Sequence, residues 1–206
     1  MSTRVCHRSD DGRSQASTKK WVRSRERLRM AMTACLCLAM IAGVPAHTPP
    51  QLASGAHIEV FKQRRQLEVY SGKKVVATYR IGLGSDPVSP KRREGDRATP
   101  EGRYFISHKN PRSQYFLSLG ISYPGVDDAT RGLREGRITK AQYTAIVAAN
   151  RQHLPSPANT ALGGNIFVHG RGSSTDWTWG CVALDDADMR KLYDAIEVGT
   201  PITIHP

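Results

Sequence analysis

From His57 to Ile81 apolar and polar residues alternate, and that two-residue period constrains the fold more than any other feature of the chain. Ile58 and Val60, then Leu67 and Val69, stand between polar neighbours, and Ser71-Gly72-Lys73-Lys74 is a turn leading into Val75–Ile81. Such a period puts one set of side chains on one face of a strand, so the stretch predicts a β-meander. Two further strands are expected at Gly102–His108 and Tyr115–Ile121, around a turn at Lys109-Asn110-Pro111, with short ones at Asn165–His169 and Pro201–His205. Helical spacing is confined to two places. Thr139 and Gln142 form a capping box ahead of Tyr143, Ile146 and Val147, and Asp185 with Asp188 can cap a helix carrying Met189, Leu192, Tyr193 and Ile196. The expected fold is mainly β with inserted helices, occupying residues 57–206.

Charge separates the rest of the chain from this domain. Thirty Lys and Arg against 18 Asp and Glu give a net +12, yet residues 1–46 alone hold nine basic and three acidic residues, half of the excess. There the basic stretch Trp21–Arg29 precedes the apolar run Met30–Val44, followed by Val44-Pro45-Ala46. That is the order of a secretory signal peptide. The apolar run is shorter than the roughly 20 residues a bilayer span needs. Removal of residues 1–46 is therefore expected, with an uncleaved membrane anchor as the alternative. Both place the domain outside the cytoplasm, in the periplasm or cell envelope, after a linker at 47–56. With half of the charge assigned to export and no basic–aromatic reader motif in the remainder, no specific nucleic-acid partner is expected. The polar loop 82–101 lacks the glycine–lysine spacing of a phosphate loop, and Lys91-Arg92-Arg93 reads as its solvated tip.

Export makes the cysteines informative. Cys6, Cys35 and Cys37 fall in the leader, so cleavage leaves Cys181 alone. A lone thiol in an exported protein pairs between molecules, reacts, or lies inert in the core. Its surroundings favour reaction: His169 ends an apolar strand, a Gly/Ser-rich loop follows, and Cys181 comes directly after Gly180. Thiol chemistry needs a thiolate and a proton carrier, which an imidazole supplies. A preceding glycine lets backbone N–H groups approach a developing oxyanion. Asp176 is placed to orient His169 or to cap the loop. Trp177 and Trp179, two apart, are expected on one strand face, lining a groove or packing under the loop. His108 and His153 could join Cys181 as metal ligands, but no close-spaced ligand pair exists, so no metal is expected, and His57 at a strand start reads as surface or structural.

The segment His169–Leu184 resembles the active-site motif of the YkuD family, the L,D-transpeptidase catalytic domain. That motif is a histidine after an apolar strand, a variable loop, then Ser/Thr-His-Gly-Cys and an apolar residue; Thr178, Gly180, Cys181 and Val182 match it. Thr99-Pro100-Glu101-Gly102 and Gly199-Thr200-Pro201 extend the resemblance across 57–206, to a β-sandwich-type catalytic domain. Two positions depart from it: Trp179 replaces the motif histidine, and Ala183 a common Asn or Arg. The resemblance implies acyl transfer on peptidoglycan stem peptides through a Cys181 thioester, without cofactor or metal. His169 would shuttle protons, Gly170 would orient the imidazole, and N–H groups at Gly180 and Cys181 would hold the oxyanion. Thr178, Trp177 and Trp179 would lie on the substrate side. Another stem, a D-amino acid or a wall-protein lysine would accept the acyl group. Two alternatives are a hydrolase of the same fold, with water as acceptor, and a non-catalytic basic wall- or DNA-binding module.

Overall fold

The structure, a computed structural model, describes residues 55–206. The expected leader and nearly all of the linker lie outside these residues. Strands β1 (Ala56–Phe61), β2 (Gln66–Ser71) and β3 (Lys74–Arg80) form the expected meander, and β1 already starts within the stretch read as linker. β4 (Gly102–Ser113) and β5 (Phe116–Ile121) form a hairpin, followed by α1 (Val126–Arg134) and α2 (Lys140–Arg151). Short strands β6 (Phe167–His169) and β7 (Val182–Ala183), α3 (Asp186–Ala195) and β8 (Pro201–His205) complete the chain. The sheet runs β3-β2-β1-β8-β4-β5-β6-β7, with β1/β8 and β6/β7 parallel and the other neighbours antiparallel. Just beyond β3, Gly82 exchanges two backbone hydrogen bonds with Ala183 of β7 at 2.9 and 2.8 Å. The last strand is thereby tied to the exit of the first edge, and the sheet curls round on itself.

Alternation fills the interior. Ile58, Val60, Leu67, Val69, Ile202 and Ile204 turn inward from three neighbouring strands, and Met189 and Leu192 of α3, with Ile196 just after it, cover the same core. Each such side chain stabilises the fold by about 1.5–3 kcal/mol through burial. A smaller cluster, Ala129, Ile138, Ile146 and Leu162, joins α1 and α2 to the following loop.

Four local expectations are corrected. β4 runs on through Lys109-Asn110-Pro111, and the turn falls at Gln114–Tyr115. The ladder is irregular between Asn110 and Ser113, where a proline without an N–H costs no hydrogen bond. Helix α1 carried no apolar period, because what it buries is Asp128, Ala129 and Gly132. Asp185 does precede α3, but its carboxylate makes no cap; it accepts the Ser173 N–H at 2.9 Å. Lys91 is buried rather than solvated, bonded to Asp96 at 2.8 Å.

The loop 82–101 is anchored by a second buried cation. Lys62, 1% exposed, donates to Glu101 at 2.6 Å and to the Val88 and Ser89 carbonyls at 3.2 and 3.0 Å. Removing one partner of a buried pair costs about 3–5 kcal/mol. Lys62→Ala is expected to lower stability by about that amount in urea denaturation, with loss of cooperativity in the loop that supports the candidate site.

Candidate active site

Strand pairing brings His169 and Cys181 to one face. Val168 pairs with Val182 and His169 with Ala183 in parallel register, so Cys181 lies alongside Phe167. Side chains of a pleated pair alternate together: Val168 and Val182 enter the core, while Phe167, His169 and Cys181 face the other way. Ser118 and Gly120 of β5 sit opposite His169 and Phe167. Gly120 is bare for a reason. A Cβ there would lie 2.2 Å from the His108 ring, which covers the glycine and meets Phe167 edge-on at 5.7 Å.

The imidazole is held on several sides. His169 Nδ1 donates to the Gly170 carbonyl at 2.7 Å, which leaves Nε2 as the basic nitrogen. Tyr115 stacks on the ring at 4.7 Å and Trp177 meets it edge-on at 5.6 Å. Burial pushes the imidazole below its ordinary pKa, partly opposed by the Gly170 hydrogen bond. Gly170 in turn donates its N–H to the Tyr115 carbonyl at 3.0 Å, and a Cβ on it would meet Asp186 Oδ1 at 2.4 Å. The first residues of α3 order the loop beyond, Asp186 accepting the Arg171 N–H at 2.8 Å.

The thiol is presented by a tight loop. Thr178 Oγ1 donates to the Cys181 carbonyl at 2.8 Å and accepts the Gly180 N–H at 3.1 Å. Thr178 is itself bonded through its backbone to Leu83 and Ser85. Gly180, at φ +121, packs so closely on the 82–101 loop that a Cβ would stand 2.6 Å from the Ala98 carbonyl oxygen. Gly180→Ala is therefore expected to cost about 1–3 kcal/mol of stability, measurable in urea, and to displace the thiol that follows. The Gly180 N–H, expected to face an oxyanion, is already engaged; the Cys181 N–H has no acceptor among the described residues. Sγ lies 3.8 Å from the Asn165 carbonyl, and burial pushes the thiol up to about 11 despite a hydrogen bond from Phe167 and the charge of Lys91. Both displacements favour the neutral thiol and neutral imidazole over a thiolate–imidazolium pair.

His169 and Cys181 open into a cleft of about 490 Å³, walled by the β4–β5 hairpin (Asn110, Arg112, Gln114, Tyr115) and by Asn165. None of these wall residues was singled out in the sequence. The polar run Asn110–Gln114, which breaks the alternation of β4, is the signal that could have found them. The two tryptophans do not share a strand face: Trp177, 37% exposed, donates Nε1–H to the Gly172 carbonyl at 3.1 Å. Trp179 is 67% exposed, outside the cleft wall, with the Arg97 guanidinium 4.8 Å from its ring. Asp176 does not reach His169; it receives Arg65 at 2.8 Å and the Leu83 N–H at 2.9 Å, tying the loop to the meander. His57 stacks on Tyr70, and His153 lies against Phe105. Among the described residues no group of three or more His, Cys, Asp or Glu is placed to hold a metal ion, and no helix is long and apolar enough to cross a membrane.

A curled eight-stranded sheet with a histidine and a cysteine opening into one cleft has the fold of an L,D-transpeptidase catalytic domain. The chain belongs to the YkuD family, the L,D-transpeptidase catalytic domain, which it matches over residues 55–204. It is 28% identical to the L,D-transpeptidase YafK of Escherichia coli (strain K12) over 119 residues, 51% of this chain and 48% of that protein. The helical cell shape determining protein Pgp2 of Campylobacter jejuni shares the fold, with a TM-score of 0.52 at 23% identity over 73% of this chain and 46% of that one. The chain thus spans about half the length of the curated relatives it matches.

Proposed function

We propose that the domain is an exported cysteine acyltransferase acting on peptidoglycan stem peptides, with Cys181 as nucleophile and His169 as proton carrier. The observation that carries this reading is their shared cleft, together with the Nδ1 bond to Gly170 that reserves Nε2 for proton transfer. As Sγ attacks the carbonyl of the third stem residue, its proton passes to Nε2. The tetrahedral oxyanion is met by the Cys181 N–H. The carbon–nitrogen bond then breaks, Nε2 returns the proton to the departing D-alanine amine, and a thioester remains. An acceptor amine attacks, loses its proton to Nε2, and the thioester opens to regenerate the thiol. The acceptor is another stem peptide, a D-amino acid or a wall-protein lysine, and neither metal nor organic cofactor enters the sequence of steps.

Incubation of the full chain with purified sacculi and a labelled D-amino acid, read by intact-muropeptide mass spectrometry, tests the assignment. Label in the fourth stem position is the expected result. Shortened stems without label would assign hydrolysis, and unchanged stems would leave a binding module. Trp179 is proposed to contact the substrate from outside the cleft wall. Its exposure means that Trp179→Ala should leave the melting temperature nearly unchanged while weakening stem binding by about 1–3 kcal/mol. Trp179→His should alter affinity or acceptor preference and spare single-turnover thioester formation.

A further inference from the structure

The wall opposite the thiol carries a single charge. β4, at twelve residues, is twice as long as β5, and its far end forms the cleft's hairpin wall. That end is fixed by its own side chains. Asn110 Oδ1 accepts the Arg112 N–H at 2.9 Å, Ser113 Oγ accepts the Tyr115 N–H at 3.1 Å, and Pro111 between them has a locked φ. Arg112 is thus an exposed cation on a rigid backbone. Lys91 is committed to Asp96, Arg65 to Asp176, Lys109 to the Tyr193 and Ile196 carbonyls, and Arg97 to the Trp179 ring, while Arg171, beside Gly170, lies outside the cleft lining. No ion pair among the described residues includes Arg112. The cleft lining contains no acid, and the neutral groups beside Arg112 are the amides of Asn110, Gln114 and Asn165.

The geometry points to a carboxylate-binding subsite at Arg112, with the guanidinium fork taking a carboxylate of the ligand whose carbonyl lies at Cys181. A planar fork matches a carboxylate with two parallel hydrogen bonds, and amide N–H groups can share the load. This rests on the proposed stem-peptide reading for its substrate and adds what the cleft selects. A stem tetrapeptide offers that chemistry from two sources, the terminal carboxylate of the departing residue and a side-chain carboxylate on the third residue.

Two measurements test it. In the first, the full chain and Arg112→Gln are alkylated at Cys181 by iodoacetate and by iodoacetamide at low salt; in both reactions the sulfur displaces iodide, and only the first reagent is an anion. The ratio of the two rates should fall severalfold in Arg112→Gln, should be largely retained in Arg112→Lys, and should shrink with added salt in the parent chain. In the second, a tetrapeptide is supplied as the free acid, as its C-terminal amide, and with the third-residue side chain amidated. One amidation should raise KM in the parent chain by about 10- to 100-fold, the range for losing a charge-assisted hydrogen bond, and the amide that does so identifies the source. Arg112→Gln should show the same rise with the free acid and no further discrimination. If none of the peptides turns over while the alkylation ratio falls, the subsite stands and the stem-peptide reading fails. An alkylation ratio unchanged in Arg112→Gln overturns the subsite, as does a variant that still distinguishes acid from amide like the parent.

Discussion

Cys181→Ala is expected to abolish acyl-enzyme formation, with residual turnover at least ~10⁴-fold below the parent chain, the scale on which removal of a nucleophile acts. Intact-protein mass spectrometry after exposure to a carbapenem, a strained acyl donor, makes the check direct: one adduct on the parent chain, none on the variant. The fold should survive, because Cys181 lies outside the main core cluster and its loop is held by Thr178 and Gly180 rather than by the sulfur. A melting temperature within a few degrees of the parent would therefore accompany the loss. An adduct that persists in Cys181→Ala would place the reactive group elsewhere and remove the central assignment. Cys181→Ser sharpens the result, since a hydroxyl fills the space but is far less readily ionised in the same buried setting.

What the sequence made legible follows from which physical signals are local. The alternation of Ile58, Val60, Leu67 and Val69 survives into the structure because each strand of the meander has one face in the core and one outside it. The Thr139–Gln142 box is likewise local, both of its hydrogen bonds spanning three residues. Helix α1 was illegible because its inward face is held by polar contacts, one of them from a distant strand, rather than by apolar side chains. Asp128 accepts the Tyr104 hydroxyl at 2.9 Å and pairs with Arg131 at 2.7 Å, and neither bond leaves a hydrophobic period. β7 is two residues long and exists only because Gly82 and β6 flank it.

The site divides along the same line. His169 and Cys181 could be picked out because a glycine-flanked thiol and a strand-ending histidine are unusual within one short segment. Most of the residues around them arrive from other parts of the chain. Tyr115 reaches His169 from the β4–β5 turn, Asn165 reaches the thiol through a backbone carbonyl, and Ala98 fixes Gly180 from the loop anchored by Lys62. Asp176 shows the converse: a carboxylate seven residues from a histidine suggested an orienting partner, yet Arg65, far off in sequence, claims it. Orientation falls instead to the Gly170 carbonyl beside the imidazole.

With His169 as the proposed proton carrier, two displacements of opposite sign decide the pH dependence expected of the site. Burial lowers the imidazole pKa, so the neutral base persists to a pH below the ordinary 6.5 or so; burial raises the thiol to about 11, so the thiolate is scarce until strongly alkaline pH. With substrate, where the base removes the thiol proton during attack, acylation should fall only below about pH 6.5 and stay level through neutrality. With iodoacetamide, which depends on thiolate already present, the rate should climb about tenfold per unit through pH 9 without a plateau. A plateau reached near pH 6 would mean a preformed thiolate–imidazolium pair and would overturn the neutral resting state. His169→Gln removes the base while retaining a group able to donate to the Gly170 carbonyl. It should slow acylation by about 10²- to 10⁴-fold and abolish the acid limb, while iodoacetamide alkylation keeps its climb with pH. Loss of acylation with the acid limb intact would show that some other group carries the proton.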